Sequence, residues 1–168
     1  MMLNKALEYT TVYLLLGGNL GNREENLDLA ISLIGNDIGD LEAISSVYET
    51  AAWGKKDQPA FLNQAVAVKT SLAAVEVLQK ALNIEHMLGR VRKEKWGERL
   101  IDIDLIFFGN EAINIENLLH IPHPQMQFRK FVMAPMAEIA PQMIHPVLGK
   151  SVLDIYKNIT DDLAVRKV

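Results

Sequence analysis

The stretch Ile101-Asp102-Ile103-Asp104-Leu105-Ile106-Phe107-Phe108 decides the fold. Ile, Leu and Phe make it an apolar strand, Gly109-Asn110 follow as a turn signal, and acidic residues stand at alternate positions. Strand side chains point to opposite faces in turn, so both carboxylates leave the same face. Two residues of strand rise separate their α-carbons by about 6.6 Å, which lets the carboxylates converge on cations about 3.5–4 Å apart. Without a counter-charge they repel by about 2.4 kcal/mol at an effective dielectric of about 20 and a separation of about 7 Å. A hard dication fits the pair; the same spacing also suits a solvated polar face on an edge strand.

Immediately upstream, Arg90-Val91-Arg92-Lys93-Glu94-Lys95-Trp96-Gly97-Glu98-Arg99 holds five basic residues in ten. Guanidiniums can grip phosphate oxygens bidentately while a carboxylate-bound Mg²⁺ bridges other oxygens of the same polyphosphate. Standing alone the segment would read as a solvated basic loop; beside two metal-ready carboxylates it reads as phosphate-binding. Further back, Ser71 is positioned to cap a helix carrying Leu72, Val75, Leu78, Leu82 and Glu85 on one side and stopping at Gly89. Phe61 to Thr70 alternates as a strand and Ile44 to Thr50 reads as another, with a Gly/Pro-punctuated loop between them. Asn22 and Glu25 resemble an N-cap with its reciprocal partner, ahead of Leu27, Ala30, Ile31, Ile34 and Ile38 at helical spacing. Thr10 to Leu16 is a first strand ending at Gly17-Gly18. The segment Gly17-Gly18-Asn19-Leu20-Gly21 lacks both GxxxxGK[ST] and GxGxxG, so it reads as a plain turn.

The resulting order, β-α-β-β-α-β, is an α+β, ferredoxin-like unit whose antiparallel sheet carries both helices on one face. Downstream of it lie five of the six prolines, at 122, 124, 135, 141 and 146. A loop-rich C-terminal extension is expected there, with short helices near Phe128 to Glu138 and Ser151 to Asn158 and no second core. At 168 residues, without repeats or linker-like tracts, the chain is read as one domain over residues 1–168.

Composition narrows the function classes. With 17 Lys plus Arg against 21 Asp plus Glu, the net charge is −4 and the pI near 5.6, so nothing favours bulk attraction to nucleic acid or anionic membrane. Any anion site must be local. There is no Cys, which excludes disulfides and thiolate metal sites and suits a reducing compartment. The amino terminus does not read as a signal peptide and the apolar runs are too short to span a bilayer, so cytoplasm is expected.

Two more segments could contact ligands. His123, between Pro122 and Pro124, has its backbone held extended and its imidazole direction fixed, either structurally or toward a phosphate or ribose. The loop Thr50-Ala51-Ala52-Trp53-Gly54 and the strand start Phe61-Leu62-Asn63 supply aromatic surface and an amide, which could sandwich a flat heterocycle or simply pack the core. Met126, Met133, Met136 and Met143 read as core filler.

Taken together, Lys95-Trp96-Gly97-Glu98-Arg99-Leu100-Ile101-Asp102-Ile103-Asp104-Leu105-Ile106 resembles the signature of the 6-hydroxymethyl-7,8-dihydropterin pyrophosphokinases of folate biosynthesis. Supporting similarities are Gly17-Gly18-Asn19-Leu20-Gly21, Tyr48-Glu49-Thr50, Asp57-Gln58-Pro59-Ala60-Phe61-Leu62-Asn63, Gly89-Arg90-Val91-Arg92, Ile121-Pro122-His123-Pro124 and Glu138-Ile139-Ala140-Pro141. The resemblance implies transfer of pyrophosphate from Mg-ATP to the hydroxymethyl group of the reduced pterin, with release of AMP. It implies that Asp102 and Asp104 bind two Mg²⁺ ions, and that Glu85, Arg90, Arg92, Arg99, His123 and Arg129 attend the ATP. Thr50, Ala51, Trp53, Phe61, Asn63 and Phe131 would form the pterin pocket. Trp96 would sit on a mobile catalytic loop near both substrates and act with Arg90, Arg92, Arg99 and the two aspartates. The chain departs from the family at Gln125, where relatives often have Arg, at Phe128, where they carry a polar residue, and at Ala51 and Ala52, where many have proline. An RNA-binding module of the same βαββαβ order is the rival reading, but Phe61 to Lys69 lacks the RNP1 aromatics and the pI is acidic.

Overall fold

A computed structural model describes residues 7–51, 58–89 and 100–168. Its elements run β1 (Thr10–Gly18), α1 (Arg23–Asp37), β2 (Asp40–Ile44), β3 (Tyr48–Thr50), β4 (Phe61–Thr70), α2 (Ala74–Met87) and β5 (Asp102–Phe108), followed by β6 (Ile113–Ile115) and β7 (Leu119–Ile121). A 3-10 turn (Met126–Phe128), α3 (Lys130–Ile139), α4 (Val152–Lys157) and β8 (Val165–Lys167) complete the chain. The result is a mixed α/β arrangement of antiparallel sheet and helices. Among the described residues, six strands form one sheet in the order β5-β1-β4-β3-β8, with β2 also pairing β4, while β6 and β7 make a separate hairpin. Its centre is β4; β1, between β4 and β5, pairs with it along its whole length, Thr10 opposite Thr70 and Gly18 opposite Leu62.

Alternation along the strands divides the core into two layers. Val12, Leu14, Leu16, Val66, Val68, Ile103 and Leu105 face α1 and α2, whereas Leu15, Ala65, Ile106 and Phe107 face α3 and α4. Ile106 and Phe107 are sequence neighbours on the same face because of a β-bulge: Tyr13 pairs with Phe107 and Leu14 with Leu105, leaving Ile106 as the extra residue. Its carbonyl, displaced from the ladder, accepts from the backbone N–H of His123 at 3.1 Å.

Helix α1 starts where expected. The Asn22 side chain accepts from the Glu25 N–H at 3.1 Å, and Leu27, Ala30 and Ile34 are buried. Two expectations need correction. Ser71 does not cap α2, which begins at Ala74; Thr70 Oγ1 instead accepts from Leu72 N–H and donates to the Ile38 carbonyl, and Glu76 reaches back to the Ala73 N–H. The face is rotated accordingly: α2 buries Ala74, Val77, Ala81, Ile84 and Glu85, while Val75 and Leu82 are exposed. Small Ala side chains let the helix approach the sheet closely, and tertiary fit has outweighed side-chain bulk. Gly89 adopts a left-handed φ of +83° just past the helix, where glycine carries no Cβ penalty.

The strand expected over Ile44 to Thr50 is two strands broken at Ser45 and Ser46. Ser45 Oγ accepts from Ala65 N–H at 2.9 Å and donates to the Ser46 carbonyl, so a side chain replaces the backbone in the ladder and the chain bends. The tail also differs from expectation. Met126, Val132, Met133 and Met136 join Val152 and Ile155 in a second buried layer on the sheet. Proline content does not reveal this, because α3 tolerates Pro135 inside it. Met133, fully buried, tests the layer: Met133→Ala is expected to lower unfolding free energy by about 2–5 kcal/mol in urea titrations, against under about 0.5 kcal/mol for a solvated methionine.

Candidate active site

Asp102 pairs with Gly17 and Asp104 with Leu15 across β5 and β1, and Gly17 pairs with Asn63 across β1 and β4. Next in line, Tyr48 and Thr50 of β3 pair with Asn63 and Phe61 of β4. Parity therefore sends Asp102, Asp104, Gly17, Asn63 and Phe61 to one face, the one that α3 covers only in part. There they line a cleft of about 500 Å³ together with Leu15, Thr50, Ala51, Gln58, Phe128, Arg129, Phe131, Asp161 and Leu163. Eight of the residues singled out from the sequence thus meet in one cavity: Asp102, Asp104, Thr50, Ala51, Phe61, Asn63, Arg129 and Phe131. Arg90, Arg92, Trp96, Arg99, Trp53 and Ala52 lie outside the described residues.

The floor of the cleft is made by an absence of side chain. A Cβ on Gly17 would collide with the Asn63 side-chain oxygen, so glycine lets that amide lie across β1 toward Asp102. Gly17 and Gly18 belong to β1 itself, which corrects their reading as a turn. At the β3 end, the Thr50 hydroxyl is buried with no hydrogen-bond partner among the described residues. An orphaned buried hydroxyl costs about 1–3 kcal/mol, a cost that a ligand donor or acceptor in the cleft would offset.

The carboxylate pair behaves as alternation requires: Asp102 is half-buried and Asp104 exposed, between buried Ile103 and Leu105. Both offer hard oxygen donors. Among the described residues no group of three or more His, Cys, Asp or Glu gathers as a metal site. Two carboxylates alone suit Mg²⁺, which takes one or two from the protein and fills its octahedron with water and substrate phosphate oxygens. Glu85 does not line the cleft. It is buried on α2, where its Oε1 accepts from the Ile103 N–H at 2.7 Å, between the two aspartates.

His123 stands beside the bulge at Ile106 without lining the cleft. The Ile121–Pro122 peptide before it is cis. His123 Nδ1 accepts from Gln125 N–H at 3.2 Å, which assigns the proton of the neutral ring to Nε2 and leaves that atom a donor. Burial first, and the Arg129 charge second, pull its pKa down to about 4, so the ring is neutral at pH 7. The unfolded chain then takes up this proton near pH 6.5 while the folded one resists until about pH 4. Stability from this group is complete above 6.5 and lost as pH falls toward 4. His145, also lowered by burial, acts in the same direction. His123→Gln is expected to flatten, without abolishing, the fall in urea-unfolding free energy between pH 6.5 and 4.5; an unchanged slope would contradict the assignment.

Supporting contacts hold β3 against α3. The Tyr48 hydroxyl donates to Glu138 at 3.0 Å, Ser46 N–H bonds the other carboxylate oxygen, and Lys167 lies 3.2 Å from Glu138. Burial, then the bond to Glu138, pushes Tyr48 up to about 12. Against its own burial, bonds from Ser46, Lys167 and Tyr48 keep Glu138 below the ordinary carboxylate value. Glu49 joins Arg23 at 3.0 Å and Arg166 at 2.7 Å, tying α1 and β8 to β3.

Sequence reading missed Leu15, Gly17, Gln58, Asp161 and Leu163 as cleft residues and took Phe128 only as a departure. For Gly17 a signal existed, since a strand glycine marks close approach of another group. None existed for Asp161 and Leu163, which reach the cleft because the chain returns to pair β8 with β3.

Residues 13–141 match the family described as 7,8-dihydro-6-hydroxymethylpterin-pyrophosphokinase (HPPK). A Synechocystis protein named 2-amino-4-hydroxy-6-hydroxymethyldihydropteridine pyrophosphokinase is 43% identical over 145 residues, covering 86% of this chain and 73% of that protein. A Bacillus subtilis protein of the same name is 44% identical over 132 residues, covering 78% of each. Among solved structures, a Plasmodium falciparum HPPK-DHPS chain superposes with a TM-score of 0.74 at 17% identity, covering 92% of this chain. The present chain spans 46% of that longer one, and the likeness speaks for the fold. With a family match across most of its length and relatives above 40% identity, the chain belongs to the 7,8-dihydro-6-hydroxymethylpterin-pyrophosphokinase family.

Proposed function

We propose that this chain transfers pyrophosphate from ATP to 6-hydroxymethyl-7,8-dihydropterin, giving the pterin diphosphate and AMP in tetrahydrofolate synthesis. The observation that carries this reading is the meeting of Asp102 and Asp104 with Thr50, Phe61, Asn63 and Phe131 in one cleft. An acidic pair and an aromatic, amide-bearing slot in one cavity would bring an alcohol on a heterocycle next to a metal-held polyphosphate. In the reaction the alcohol oxygen loses its proton and bonds the β-phosphorus, the bond from that phosphorus to the α-phosphate oxygen breaks, and AMP departs with that oxygen, the proton being released overall.

Such a transfer asks the protein chiefly for positioning and charge stabilisation. In this reading Phe61 and Phe131 flank the ring, the Asn63 amide and Thr50 hydroxyl take its polar edge, and Ala51 closes the end of β3. Asp102 and Asp104 would hold two Mg²⁺ ions, which would supply neutralisation of charge on the phosphate oxygens. Arg129 contributes a guanidinium on the cleft wall, and the neutral His123 a donor from Nε2. Arg90, Arg92 and Arg99, with Trp96, are assigned to phosphate and substrate contacts, and Trp53 to the ring. Glu85 is assigned to the ATP side, and its bond to Ile103 N–H supports a further role in holding the backbone between the aspartates.

The architecture is read as one domain over residues 1–168. Its βαββαβ part takes the ferredoxin-like arrangement, supported by the order β5-β1-β4 followed by β2 and β3, and the C-terminal residues extend it. No helix among the described residues is long and apolar enough to cross a membrane, and a cytoplasmic enzyme of small-molecule substrates fits the absence of cysteine. The RNA-binding reading is not supported, since the relatives carry pyrophosphokinase names and the net charge of −4 offers no general attraction to polyanions. The deciding experiment is incubation with Mg-ATP and the reduced pterin alcohol. AMP should form only when both are present; AMP formation indifferent to the pterin would reject the assignment.

A further inference from the structure

Helix α3 opens without a cap of its own. The residue at its N-cap is Arg129, whose side chain makes no capping bond. The missing acceptor comes from 31 residues away: Asp161 Oδ2 accepts from Lys130 N–H at 3.1 Å, while its Oδ1 accepts from Leu163 N–H at 3.0 Å. An aspartate there also complements the positive end of the helix dipole. The two residues flanking that captured N–H are Arg129 and Phe131, whose guanidinium carbon and ring centroid lie 5.8 Å apart. Both line the cleft, as do Asp161 and Leu163.

The segment carrying Asp161 is fastened at each end. Before it, Ser151 caps α4 through Asp154 N–H, and Val152 and Ile155 are buried. After it, β8 pairs with β3, placing Val165 opposite Thr50, and Val168 N–H bonds the Val47 carbonyl at 2.9 Å. Residues 158–164 therefore form a strap held at both ends, with Asp161 and Leu163 lining the cleft, beyond the residues 13–141 that match the family.

We propose that residues 158–164 form the outer wall of the heterocycle half of the cleft. Within it, Asp161 is a positioning residue that sets Phe131 and Arg129 through the Lys130 N–H, and Leu163 supplies apolar wall next to Thr50. The proposal rests on the pterin reading above. Asp161 touches no reacting atom; its effect passes through where α3 begins, and a shift of about 1 Å at such a supported side chain is enough to weaken binding severalfold.

The test measures affinity of the folded protein for the reduced pterin alcohol, by titration calorimetry in the presence of a non-transferable Mg-ATP analogue, together with KM and kcat. Asp161→Ala is expected to weaken pterin binding and raise the pterin KM about tenfold, with a smaller rise in the ATP KM through Arg129 and kcat changed less than about threefold. Asp161→Asn, which keeps one acceptor oxygen, should recover most of the affinity, and Leu163→Ala, which leaves the cap intact, should weaken pterin binding on its own. A pterin affinity unchanged in folded Asp161→Ala overturns the positioning role, as does a loss of thermal midpoint with normal affinity in the folded fraction. Should Asp161→Ala fail to fold, unchanged affinity in Leu163→Ala overturns the wall. If the unsubstituted protein itself binds no pterin, the failure belongs to the pterin reading and not to the strap.

Discussion

Asp102→Ala and Asp104→Ala are each expected to lower AMP formation from Mg-ATP and pterin alcohol by about 10²–10³-fold or more, while the protein still folds. The physical reason for that dissociation is the geometry of β5. Ile103, Leu105, Ile106 and Phe107 carry its packing, and the two carboxylates contribute to neither apolar layer. Both carboxylates lie outside those layers, half-buried and exposed respectively, so truncating one removes no apolar packing of the core. Asp102→Asn and Asp104→Asn should fail alike, because charge rather than shape is what a hard dication requires. Wild-type turnover in any of the four variants would refute metal-assisted transfer at this pair; a collapse in thermal midpoint would show that the strand needs them for folding.

Gly17→Ala is expected to weaken pterin binding by about 10–100-fold while the chain still folds. Gly17 does not have a positive φ, so alanine is not strained in its backbone there. The cost comes from the added Cβ, which would occupy the place of the Asn63 side-chain oxygen and force that amide out of the cleft floor. Overpacking of this kind costs about 1–3 kcal/mol of stability, and the displaced amide no longer meets the heterocycle. A double-mutant cycle isolates the cause. In an Asn63→Ala background the obstructing oxygen is gone, so Gly17→Ala should add little further loss, giving a strongly non-additive pair. Additive losses would mean that Gly17 matters for some reason other than making room for Asn63.

These two expectations differ in how they could be known. That Asp102 and Asp104 share a face follows from chain period alone, and any strand over residues 101–108 would produce it. Which face they take is another matter. It depends on Gly17 and Leu15 lying opposite them, on the partner strand β4 bringing Asn63 alongside, and on the bulge at Ile106 that returns Phe107 to the α3 side. The helices show the same division. Asn22 announces α1 because capping is a local hydrogen bond between residues three apart. The face that α2 buries escapes a count of large apolar residues, because close approach to the sheet selects Ala74 and Ala81 over Val75 and Leu82.

Local order, then, was written in the amino-acid sequence: the main strands, the first helix and its cap, the stop at Gly89, and the acidic pair with its basic neighbour segment. Each arises from side-chain periodicity or from bonds spanning a few residues, and needs no knowledge of the rest of the chain. Only the tertiary structure decided that Met126, Met133 and Met136 build a second apolar layer, that Glu85 faces the backbone of Ile103, and that Asp161 caps a helix begun 31 residues earlier. Those outcomes depend on which surfaces meet after the chain has turned back on itself. Residues that are distant along it become neighbours through sheet register and the burial of apolar area, and neither quantity is a property of any short segment.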